Sequence, residues 1–161
     1  MQAPAKVAPA TPAVAITGPA LAVPSPQALI VMIRSAILAL HNANLSGNFT
    51  VMHDLASQAF QKANSPALLG EVFAPLRAQR LDISVALLLT PELTMTPVIN
   101  QRGLLRLNGS LPSSPVQINY DLVYKAEETG SRIFSIAVLP SAALATAQVQ
   151  RALVKSRAKG K

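Results

Sequence analysis

GLLRLNGSLPSSPVQINYDLVYKAEETGSRIFSIAV, residues 103–138, alternates apolar and polar side chains three times over. Leu105, Leu107 and Leu111 share one face of the first run. Val116, Ile118, Tyr120, Leu122 and Tyr124 share one face of the second, and Phe134, Ile136 and Val138 one face of the third. A period of two is that of a strand with one buried face. The breaks, PSSP at 112–115 and EETG at 127–130, are short and rich in turn formers, so they predict hairpins between antiparallel neighbours.

Upstream, Ile83, Val85, Leu87 and Leu89 show the same alternation and predict a further strand over 81–89, which makes four. Before it the pattern is helical. Ser25-Pro26 reads as a cap followed by a first-turn proline, and the run to about Asn42 is apolar except for a narrow face around Gln27, Arg34, Ser35 and His41. A helix this apolar must be covered on most sides. NANLSGNFT (42–50) is a turn with Gly47 suited to positive φ, VMHDLASQAF (51–60) a brief second helix, and Ser65-Pro66 the start of a third that Pro75 kinks or ends. Helices first and strands last is the α+β pattern, with helices gathered on one face of an antiparallel sheet of four strands.

The flanks differ from this domain. Residues 1–24 are an Ala/Pro-rich arm of polyproline character, the domain spans 25–140, and 141–161 is a basic tail whose Ala142–Val154 stretch suits a loose amphipathic helix. The formal charge is +7, yet residues 27–139 hold eight basic side chains against seven acidic ones, so the excess belongs to Lys6 and to Arg151, Lys155, Arg157, Lys159 and Lys161. Any contact with anionic partners is therefore expected in the tail, weak, sensitive to salt and indifferent to base sequence. No transmembrane segment is expected, since the longest apolar stretch, Ala28 to Leu40, is short and contains Arg34. Prolines at 9, 12 and 19 break the apolar region that a signal peptide needs, so the arm reads as a linker of the kind that follows one, which tilts the compartment toward export or the periplasm over the cytoplasm.

Three helices followed by a four-stranded meander resemble the nuclear transport factor 2-like superfamily, a cone whose first helix lies in the concavity of the sheet. Within it, EVFAPLRAQRLDIS (71–84), GLLRLNGSLPSSPVQINYDLVY (103–124) and GSRIFSIAV (130–138) look like a group of uncharacterised bacterial domains patterned G-L-L-R-L-x-G, P-x-Q-V-x-F-D-L-x-Y and W-R-L-F-x-I-x-V. Ser131 stands where that group carries Trp. These motifs build a fold and carry no catalytic signature. The resemblance implies a cavity inside the cone, with His41, Arg106, Tyr120 and Tyr124 as the side chains that line it. It also implies a homodimer formed through the sheet, whose outer face bears Gln117, Asn119 and Asp121.

The chain lacks the parts for much chemistry. It has no Cys, and its two histidines show no zinc spacing, so neither a catalytic nucleophile nor a metal site is expected. Phosphate-cradling glycine motifs are missing as well, and no cofactor is expected. His41 is placed at the end of the first helix, where a cation suits the dipole, and His53 and Asp54, as helix neighbours, point about 100° apart. The reading is a non-catalytic domain that associates with another protein or holds a small apolar ligand. The alternative is a small lyase or isomerase working on an apolar metabolite, with Tyr124, Tyr120 and His41 as acid, base or oxyanion donors.

Overall fold

The computed structural model describes residues 22–128 and 130–141. The fold is α+β, with helices at the N-terminal side and a four-stranded antiparallel sheet. Helix α1 spans Pro26–Ser46; the Ser25 hydroxyl accepts from the Ala28 amide at 3.3 Å and Pro26 occupies the first turn. It runs a turn beyond the expected end. Ala43 is buried, the Ser46 hydroxyl closes the last turn on the Asn42 carbonyl at 2.8 Å, and Gly47, at φ 71, is the first residue able to leave it in the left-handed region. By length and composition alone (21 residues, mean hydropathy 1.5) α1 is long and apolar enough to cross a membrane. Here its Leu29, Ile33, Ala36, Ile37, Leu40 and Ala43 are buried in the core.

The expected second helix is two pieces, α2 at Thr50–Asp54 and α3 at Gln58–Ala63. Between them Ala56 forms a parallel bridge with Ile133, the Ser57 amide donates to the Ile133 carbonyl at 2.8 Å, and the Ser57 hydroxyl caps α3 at Phe60. Helices α4 (Pro66–Val72) and α5 (Ala74–Ala78) replace the expected kinked third. Pro75 cannot continue α4 but fits the first turn of α5, as anticipated.

The strand expected upstream of the sheet does not form. Residues 81–89 are no strand: Ile83–Leu87 is a 3-10 helix, capped by Asp82, whose carboxylate accepts from the Ser84 amide at 2.9 Å. Ile83 and Ala86, three apart, are its buried pair, while Leu88 is 86% exposed. A short apolar run satisfies a period of two and a period of three alike, and packing against α1 selected the second. The Arg34 guanidinium, expected on the polar face of α1, instead donates to the Leu89 carbonyl at 2.9 Å and fastens this segment to the helix.

The sheet runs in the order β1 (Glu92–Leu93), β2 (Leu104–Leu111), β3 (Gln117–Glu127) and β4 (Gly130–Ser141). Both predicted hairpins form, and the inner face is the predicted one: Leu105 opposite Tyr124, Leu107 opposite Leu122, Leu111 opposite Ile118. In β4 a bulge opposite Val123 and Tyr124 shifts the parity, so Ile133 takes the buried place expected of Phe134, while Val138 keeps its own and Ile136 packs, partly buried, against the core. The fourth inner position of β2 is Gly109, opposite Tyr120. A Cβ there would stand 1.9 Å from the Glu92 carbonyl oxygen and 2.6 Å from the Tyr120 hydroxyl. Gly109→Ala is expected to destabilise by about 2–4 kcal/mol, the cost of overpacking plus a broken hydrogen bond. Urea unfolding measures it; a loss below about 0.5 kcal/mol would show that β1 is not clamped against this strand.

Candidate functional site

The four expected cavity residues do not converge. Tyr120 and Tyr124 do face inward from β3 and are buried, but their hydroxyls have partners: Tyr120 donates to the Glu92 carbonyl at 2.9 Å, and Tyr124 to the Met32 carbonyl of α1 at 2.7 Å. Burial, helped by the charge of Glu92, pushes the Tyr120 hydroxyl up to about 12, and burial pushes Tyr124 well above the ordinary tyrosine value. Both are structural donors.

Arg106 points the other way. It follows Leu105 and precedes Leu107, both buried, so alternation puts it on the outer face, 57% exposed. There its Nε donates to Asp121 Oδ1 at 2.9 Å and its Nη2 to Oδ2, an arrangement that raises the guanidinium and holds the Asp121 carboxyl below the usual range. The alternation that located the tyrosines also excludes Arg106 from the interior.

The imidazoles differ from expectation too. His53 and Asp54 do meet, Nδ1 to Oδ1 at 2.9 Å, in the last turn of α2. The other ring nitrogen, Nε2, faces the Gln61 carbonyl at 3.3 Å, so neither nitrogen is presented to a substrate. His41 lies more than a turn before the end of α1.

His41 belongs to a different feature, a cleft of about 560 Å3 where three segments meet. The C-terminal half of α1 supplies His41, Asn44 and Leu45; α5 and its exit supply Leu76, Arg77 and Arg80; the entry to the 3-10 helix supplies Leu81 to Ser84. Its size suits a small organic ligand. The Arg77 guanidinium lies 5.7 Å over the Phe49 ring and donates to the Gly70 carbonyl at 3.0 Å, while Phe49 stacks on Phe73 with centroids 6.1 Å apart. The Asp82 carboxyl is held below its usual range, first by the hydrogen bond with Ser84 and in smaller part by His41 across the cleft. Asn44 Oδ1 is buried without a hydrogen-bond partner.

In the sequence Arg77, Arg80 and Asp82 stand out only as charges, and Asn44 only as part of a turn. The available signal was LRAQRLD (76–82), where both arginines flank the end of a helical run with no glycine to terminate it. Among the described residues, no three of His, Cys, Asp or Glu stand close enough to hold a metal ion. The tail residues Arg151, Lys155, Arg157, Lys159 and Lys161 lie outside the described residues, as does the arm up to residue 21. No family model matches the chain, and neither the curated proteins nor the solved structures contain a match.

The tyrosines give a pH signature. Their folded values are raised above the unfolded value near 10, so they bind protons more tightly in the native state. The stability this confers is complete below pH 10 and is lost as pH rises toward about 12, the folded value of Tyr120. Absorbance at the phenolate band should therefore stay flat through pH 10 and rise together with unfolding above it; ionisation near pH 10 in a folded protein would contradict the buried hydroxyls.

Proposed function

We propose that this is a non-catalytic binding domain of the nuclear transport factor 2-like class, and that it holds a small, largely apolar ligand in the cleft between α1, α5 and the 3-10 helix. The observation that carries the reading is the cleft itself: about 560 Å3, with Leu45, Leu76, Leu81 and Ile83 forming its apolar wall beside His41, Asn44, Arg77, Arg80, Asp82 and Ser84. The class rests on the helix-then-meander order and on α1 packed against the inner face of the sheet. The lyase or isomerase alternative is weakened because the hydroxyls of both its tyrosines donate to backbone carbonyls. A titration with 1-octanol followed by amide shifts should perturb Leu45, Leu76 and Ile83. Shifts centred on Tyr120 and Tyr124 instead would move the ligand into the cone and overturn the assignment.

A second reading, homodimerisation through the sheet, is favoured by the outer face, where a shallow hollow of about 290 Å3 lies beside Asn108, Asn119 and Asp121 and Leu139 stands 65% exposed. Sedimentation equilibrium is expected to give twice the chain mass, and an Ala137→Arg variant the single mass. A monomer for the unaltered chain would remove this reading.

A further inference from the structure

We propose that the cleft selects an aliphatic carboxylic acid carrying a hydroxyl or amide donor near its head, with Arg80 pairing with the carboxylate and Asn44 accepting from the donor. This rests on the cleft being a ligand site and adds the chemical class of the ligand.

Arg80 has a backbone φ of 49, the one positive value among described residues other than glycine. It sits just beyond α5, where its amide donates to the Arg77 carbonyl at 3.0 Å, the place at which helices ordinarily use glycine. An arginine there strains the backbone, and strain of this kind is retained where a side chain has work to do. The Arg80 side chain is exposed and makes no ion pair or hydrogen bond among the described residues. Arg77, by contrast, is fixed on Phe49 and Gly70, so Arg80 is the guanidinium able to close on a ligand.

The local charge favours an anion. Arg77 and Arg80 face one carboxylate, Asp82, which is already engaged by the Ser84 amide. The C-terminal end of α1 adds negative character of about half a charge, less than the surplus guanidinium. A single fork of donors suits a carboxylate, which it meets with two parallel hydrogen bonds. Asn44 supplies the second element: its Oδ1 is shut off from solvent without a donor, which is costly, and a turn of the amide toward the cleft that the residue lines would bring it to a ligand hydroxyl or N–H. The walls formed by Leu45, Leu76 and Ile83 take the aliphatic chain.

The test is calorimetric titration of the full chain with 3-hydroxyoctanoate, octanoate and methyl 3-hydroxyoctanoate. The hydroxy acid is expected to bind about tenfold more tightly than its methyl ester, the range of one charge-assisted hydrogen bond. Arg80→Gly should remove that tenfold advantage while the melting temperature stays equal or rises, because glycine relieves the left-handed backbone; Arg80→Gln should remove it too. The several-fold preference for the hydroxy acid over octanoate should vanish in Asn44→Ala. Equal binding of acid and ester, unaltered by Arg80→Gly, would overturn the carboxylate assignment while leaving the cleft a ligand site. Absence of saturable binding by all three probes would overturn the ligand site and this inference together.

Discussion

Helix α1 buries Leu29, Ile33, Ala36, Ile37, Leu40 and Ala43, with Met32 and Ala39 packed partly against the same core, so apolar contacts extend over most of its circumference. Each fully buried Leu or Ile is worth about 1.5–3 kcal/mol, and a helix with so wide an apolar surface gains this only if other elements surround it. The sheet covers one side. The 3-10 helix covers another with Ile83 and Ala86, and α2 adds Met52. This demand explains why residues 81–89, whose pattern would serve a strand, fold against the helix instead.

Two tyrosines tie the layers together. The Tyr124 hydroxyl reaches from β3 to the α1 backbone at Met32, and the Tyr120 hydroxyl passes over Gly109 to the Glu92 carbonyl of β1. The inner face of the sheet is therefore a packed interior at these positions, and the polar atoms that could have served catalysis there complete backbone hydrogen bonds. Open volume with polar groups is found at the far end of α1, where the helix outlasts its cover and meets α5 and the 3-10 helix.

The charges divide by position. On the outer face of the sheet Arg106 and Asp121 neutralise each other, and such an exposed pair contributes little to stability. In the cleft, Arg77 is built into the structure through Phe49, whereas Arg80 is carried on a strained turn and left without a partner among the described residues. A domain near electrical neutrality can still present a local positive site when one of its cations is held apart.

Much of this was legible in the sequence. The caps at Ser25 and Ser65, the turn at Gly47, both hairpins and the inward face of β2 and β3 follow from local sterics and from a period of two, which each segment expresses by itself. The division at Ala56 was not legible, because it depends on a bridge to Ile133, more than seventy residues away. Nor was the bulge in β4, which inserts one residue and reverses the parity of those before it. The 3-10 helix at 83–87 needed the surface of α1 to choose between two periods that its few apolar residues fit equally. The cleft is the furthest from sequence: Asn44, Arg80 and Asp82 become neighbours only when the end of one helix, the exit of another and a capped turn are packed together. Local chemistry determined the elements; long-range contact decided where they leave a space.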